Sequence, residues 1–410
     1  MLSKLIGISS LRALGAILTF AFSVMIARML DPGDAARMFW AIAATSLLGV
    51  LARGGLDKGF MKLGATCAPS HSYQQSVGQL LGVYALPIGG ASLIMGLALW
   101  IYGTGFNDIL LWKTQLEGLA ILCSAIIGIS IANTAGTILI GAGANIVGTL
   151  LISVVPAATA LLVVAACVAL GTKPSLLAFA TAYAAGWIAS ALLSLLLFTK
   201  RESDQSNENR VAPLQNDSKW FALIGLSNTL EQWLPAIVAG MFLSANDAAG
   251  FALSARLVAV VQLLMVSATS VYASIYARTE RAELFNTVKN ATISICVLGI
   301  PAIAVLYALA PFALRIFGNE YEASTHLLRI LLLGQGVNLF LGNYSVALIM
   351  HHNASSAARI FTVSALMQMA VASIAATCGS STVLAASSVA AICTHAGLSF
   401  YLVRKISKKD

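Results

Sequence analysis

Apolar runs of roughly the length that crosses a 30 Å hydrocarbon core as helix, about 20 residues, follow one another along almost the whole chain. Gly, Pro and short charged clusters separate them. Read this way the sequence predicts twelve spans, near 5–29, 36–56, 76–102, 115–140, 144–170, 175–199, 219–243, 248–276, 286–311, 324–350, 355–377 and 381–403. Pro87, Pro156, Pro235 and Pro301 fall inside spans, where each removes a backbone donor and kinks its helix. The basic, apolar start is read as a retained first helix, because Arg12 interrupts it and its apolar stretch exceeds a signal peptide's.

The longest polar stretch, "KRESDQSNENRVAPLQNDSK", divides six spans from six. The predicted organisation is an N-terminal six-helix lobe (1–200), a cytoplasmic linker (201–218), a C-terminal six-helix lobe (219–403) and a basic cytoplasmic tail (404–410). With six crossings per half, both halves enter the membrane in the same direction, so any repeat is parallel. The triplet "DAA" at Asp34 returns at Asp247, 213 residues on, in the equivalent hairpin. Duplication explains this better than convergent helix capping by aspartate, and on either reading Asp34 and Asp247 are expected at helix starts.

Composition agrees with the pattern. Charged residues make up 10% of the chain, against roughly 25% in soluble domains, and the mean hydropathy is +0.86. The fold class is an all-α polytopic membrane protein with about twelve transmembrane helices. If both termini are cytoplasmic, that side carries fifteen Lys and Arg against six outside, the expected bias. The bias accounts for the net charge of +8 through contact with anionic lipid, without nucleic acid. The six scattered cysteines have no metal or redox spacing and read as packing residues.

Ionisable groups inside spans are costly and face a partner or a wet cavity. Glu231 lies about 18 Å into span seven, and Arg256 about 12 Å below the outer end of span eight, so the two come to similar depth in an antiparallel hairpin. They are expected to pair, either as a structural lock or as part of a central site with Asn228, Gln232 and Pro235. Arg12 either lines the cavity or snorkels to the headgroups. Arg53, with Asp57 four residues on and Gly54 and Gly55 between, reads as a solvated inner-surface cluster, with a cavity cation as its other role. His351 and His352 read as loop residues, and "GAGAN" (Gly141 to Asn145), lacking a phosphate-binding lysine, reads as a tight turn. No catalytic constellation and no metal site are expected, so the chain is not read as an enzyme.

The stretches "ARMLDPGDAARMFWAIAATSLLGVLARGGLDKGF", "AGMFLSANDAAGFALSARLVAVVQ" and "IFGNEYEASTHLLRILLLGQGVNLF" resemble the multidrug/oligosaccharidyl-lipid/polysaccharide (MOP) flippase superfamily. The likeness is to its polysaccharide (O-antigen, Wzx-type) branch. Arg37 departs from the pattern, standing where Gly250 holds the second-half position. The resemblance implies two parallel lobes around a central cavity. It further implies a flippase that carries an undecaprenyl-diphosphate-linked oligosaccharide across the bacterial inner membrane, with the bilayer, a polysaccharide polymerase and a chain-length regulator as partners. On that reading Arg12, Arg256 and Arg53 supply cations to the diphosphate, Glu231 with Asn228 and Gln232 forms the coupling or ion-pair site, and H⁺ or Na⁺ drives the cycle without any cofactor. The alternatives are a drug or cation antiporter of the same superfamily, a lipid II flippase, which usually has two additional spans, a transport-inert scaffold, and a membrane glycan polymerase or ligase. Against the last, no predicted outer loop exceeds about 15 residues.

Overall fold

In the computed structural model the described residues are 2–57, 59–61, 88–92, 94, 116–199, 218–276, 279–350 and 354–407. Predicted span three lies mostly outside them, as do Pro87, His351 and His352. Among the described residues there are helices and turns and no strand. The helices are α1 (Leu2–Met29), α2 (Pro32–Ala52), α3 (Leu116–Gly141), α4 (residues 145–169), α5 (Leu176–Thr199), α6 (Ser218–Phe242), α7 (Ala245–Tyr276) and α8 (Arg281–Ala308). The short α9 (Ala310–Arg315) leads through a 3-10 turn (Asn319–Ser324) to α10 (Thr325–Met350), α11 (Ala354–Cys378) and α12 (Ser381–Ile406). Nine of the described helical segments are long and apolar enough to cross a bilayer. The protein is thus an all-α polytopic membrane protein. α6 is not among the nine, although it has 25 residues, because the polar run Ser227 to Gln232 interrupts its apolar course.

Local sequence sets the helix ends. α2 starts with Pro32 in its first turn, where a missing N–H costs nothing, and Asp31 Oδ1 accepts from the Asp34 amide at 2.8 Å. The cap is therefore Asp31, not Asp34, which stands three residues inside and pairs with Arg37 at 2.8 Å. α7 repeats the arrangement. Ser244 Oγ accepts from the Asp247 amide at 3.2 Å and donates to Asp247 Oδ2 at 2.8 Å, a reciprocal box. Both "DAA" aspartates occupy the third helical position, which neither the expectation of a repeat nor that of a capping aspartate specified. The residues that follow them differ for a packing reason: Gly250 lies directly against Ser324, leaving no room for a side chain, whereas Arg37 reaches back to Asp34.

α2 ends where Gly54 and Gly55 take positive φ, 62° and 67°, a backbone that side chains disfavour. "GAGAN" makes the turn between α3 and α4, with Gly143 at φ 88°. Within α4, a π-helical turn (Leu150–Val154) precedes Pro156, one of the ordinary ways a helix absorbs a proline.

The chain divides into two compact units, Met1–Phe22 with Ala41–Leu226, and Ser23–Trp40 with Ser227–Asp410. The end of α1 and the start of α2 thus cluster with the C-terminal helices, and the first residues of α6 with the N-terminal ones. In the first unit α5 packs on α3 and α4. Small residues permit the approach: Gly148 of α4 sits against the Gly136 backbone of α3, the close packing by which membrane helices gain dispersion energy. In the second unit α10 packs on α7, α8 and α12, and α12 on α11. There Arg28, in the last turn of α1, donates through Nε to the Ile316 carbonyl at 2.7 Å. Arg315 grips Glu322 with two bonds of 2.8 and 2.9 Å, which raises the guanidinium's pKa further above its ordinary value.

Candidate functional site: a polar cavity in the second unit

The second unit holds a partly open cavity of about 310 Å³ whose lining includes Asn228, Glu231, Gln232 and Trp233 of α6. Ala255, Arg256 and Gln262 come from α7, Gln335 and Asn338 from α10, Gln368 from α11 and His395 from α12. A polar surface among apolar helices is expensive unless its groups are used.

Glu231 is held from two directions. Its carboxylate Oε2 lies 3.0 Å from His395 Nδ1, with the glutamate side chain 9% exposed and the imidazole 11%. Oε2 makes this contact at ion-pair distance, while His395 Nδ1 and Glu231 Oε1 have no hydrogen-bond partner. The imidazole is stacked on Phe361, centroids 5.1 Å apart and planes 19° from parallel, which fixes its orientation. The Glu231 carbonyl accepts from Gln368 Nε2 at 3.1 Å. That contact follows from the sequence: Pro235 stands four residues on and has no N–H, so the helix cannot satisfy the Glu231 carbonyl, and a side chain from α11 does so instead.

Arg256 lines the same cavity, with its guanidinium over the Trp233 ring at 5.6 Å, a geometry that offsets part of a cation's burial. Glu231 and Arg256, at similar depth, do line one cavity, but the carboxylate's ion-pair contact is His395, and the guanidinium lies over Trp233. Depth says nothing of rotation, and successive residues turn by about 100° around a helix. Asn228 and Gln232 line the cavity as expected beside Glu231. Sequence reasoning misses His395, Gln335, Asn338 and Gln368. The signal for them is present: each interrupts an apolar stretch of its span.

Arg12 and Arg53 lie in the first unit. Arg12 is half-buried on α1. Arg53 is not solvated as expected: its side chain is 3% exposed, with Nε 2.9 Å from Asp57 Oδ1 and a second nitrogen 3.3 Å from Oδ2. A third donor reaches the Ile129 carbonyl at 3.4 Å. The glycines end the helix between the two residues and still leave them paired. Among the described residues no group of His, Cys, Asp and Glu is arranged to hold a metal.

No family model matches the chain, and no curated protein matches it in sequence. Solved structures do match. One is the inward-facing conformation of a multidrug resistance MATE family transporter of the MOP superfamily, at TM-score 0.67 and 16% identity, covering 99% of each chain. Another is the MATE multidrug transporter DinF-BH, at TM-score 0.67 and 17% identity over 99% of this chain and 96% of that one. A third is the inward closed conformation of the lipid II flippase MurJ, at TM-score 0.62 and 12% identity, covering 98% and 90%. The fold of this chain is that of MOP superfamily transporters.

Proposed function

We propose that the protein is a flippase of the polysaccharide branch, moving a polyprenyl-diphosphate-linked oligosaccharide across a bacterial inner membrane by alternating access, with both termini cytoplasmic. The observation that carries the reading is an arginine lining a partly open cavity among apolar helices, Arg256 over Trp233, in a chain with the MOP fold. A diphosphate needs charge-assisted donors where water is scarce, and Arg256 offers a planar fork of them. In the first unit, Arg12 is the candidate substrate cation. The Glu231 and His395 pair takes and releases the coupling ion, H⁺ or Na⁺. The chain performs no bond chemistry, and a polymerase and a chain-length regulator act on its product.

The test is a strain deleted for the gene. Loss of surface glycan with lipid-linked oligosaccharide accumulating in the cytoplasmic leaflet, restored by the wild-type chain and not by Arg256→Gln, is the expected result. Full export with Arg256→Gln and Arg12→Gln together would remove the phosphate role. A second reading, a drug or cation antiporter, draws on the Glu231 carboxylate in the same cavity. It requires unchanged glycan and altered drug tolerance in the deletion strain.

A further inference from the structure

Beside its charged groups, the cavity of the second unit is lined by six carboxamides: Asn228, Gln232, Gln262, Gln335, Asn338 and Gln368. An amide carries an acceptor and two donors at fixed spacing, the complement of a hydroxyl that both donates and accepts. The amides are partly pre-set. Asn338 Nδ2 donates to Gln335 Oε1 at 3.2 Å, leaving the Asn338 oxygen and the Gln335 amino group to face a ligand. Two buried acceptors, Glu231 Oε1 and Gln368 Oε1, have no hydrogen-bond partner.

The charges narrow the choice. A diphosphate lying wholly inside would meet the Glu231 carboxylate. An organic cation would meet Arg256, which already covers one face of Trp233. A divalent ion such as Ca²⁺ needs about six or more oxygen ligands, carboxylates among them, and the lining has one carboxylate. A polar, uncharged, hydroxyl-rich molecule meets none of these penalties. The volume of 310 Å³ is at the lower end for small-molecule cavities, roughly 300 to 1,000 Å³, enough for one sugar ring.

We infer that this cavity is a glycosyl subsite: it takes a neutral sugar ring, the ring attached to the diphosphate, with the diphosphate anchored at Arg256 and the ring hydroxyls on the lining amides, Asn228, Gln232, Gln262, Gln335 and Asn338. The assignment of the diphosphate rests on the flippase reading; the sugar ring does not.

The test uses the full chain in nanodiscs, with methyl glycosides of hexoses and N-acetylhexosamines, farnesyl diphosphate and tetraphenylphosphonium as separate probes. The expected result is saturable binding of at least one glycoside, weakened roughly tenfold by Asn338→Ala or Gln335→Leu, the size of one lost amide contact, with farnesyl diphosphate binding retained. Gln232→Ala, at an exposed lining position, gives the same readout without risk to the fold. If no glycoside saturates, the subsite is overturned, whichever of the other two probes binds. Complementation of the deletion strain separates the two ideas. Export restored by the wild-type chain with no glycoside binding removes the subsite and keeps the flippase, and glycoside binding without any effect on export does the reverse.

Discussion

The Gln368 contact to α6 gives a prediction whose size can be worked out. Gln368 is fully buried, and its amide nitrogen is the donor to the Glu231 carbonyl that Pro235 leaves unsatisfied. Gln368→Met deletes that donor at similar volume and also deletes the unpartnered Oε1. The first change costs about 1–3 kcal/mol, the penalty for an unsatisfied buried acceptor, and the second gives part of it back. The single variant therefore hides the effect, and a double-mutant cycle exposes it. Pro235→Ala restores a backbone N–H at the right place in the helix, so the carbonyl no longer depends on Gln368. The loss of Oε1 is common to both backgrounds and cancels, leaving about 1–2 kcal/mol of coupling between the two sites. In thermal unfolding of the purified protein, where 1 kcal/mol moves the midpoint by about 2–4 °C for a unit of this size, Gln368→Met should lower Tm several degrees less in the Pro235→Ala chain than in the wild type. Equal shifts in the two backgrounds would refute the account of the kink.

Other substitutions test neighbouring steps. His395→Phe keeps an aromatic ring against Phe361 but leaves the Glu231 carboxylate without its partner, a loss of up to about 3 kcal/mol for a buried pair; Glu231→Gln should recover most of it, and Tm of the single and double variants is the check. Arg53→Met should destabilise by about 1–2 kcal/mol, less than a fully buried pair because Asp57 is a third exposed. Arg53→Lys should restore under half of that, since an ammonium cannot span both carboxylate oxygens. Gly250→Ala drives a methyl group into Ser324 and should cost about 1–3 kcal/mol. Ser324→Gly in the same chain should relieve it, and a lack of rescue in denaturation curves would place the strain elsewhere.

Which of these features the sequence discloses depends on the physics behind each. Apolar run length is a one-dimensional property, so the helices fall within a few residues of the expected spans: predicted spans 144–170 and 324–350 are helices 145–169 and 325–350. The expected end of α2, at 56, lies beyond the observed one at Ala52, because two positive-φ glycines stop a helix that hydropathy alone would continue. The expected cap, Asp34, stands inside the first turn, because Asp31 also caps and the proline between them fixes which aspartate starts the helix. For the site, depth along a helix is legible and azimuth is not. Glu231 and Arg256 are expected to meet because they share a depth, whereas His395 and Gln368 reach Glu231 from helices far later in the chain, and a single sequence does not say which helices are neighbours.

The position of Pro235 ties these observations together. A proline anywhere in α6 would free one carbonyl, and here it frees that of the cavity's own carboxylate residue. Glu231 is consequently fixed at its backbone by α11 through Gln368 and at its side chain by α12 through His395. The side chain and the backbone of one residue are thus held by two different helices. The two helices pack on one another, and α12 also packs on α10, which carries Gln335 and Asn338. Glu231 thus joins the cavity to α11 and α12 at one residue, and Pro235→Ala, which restores a backbone donor, should make the Gln368 contact dispensable without emptying the cavity of a single polar side chain.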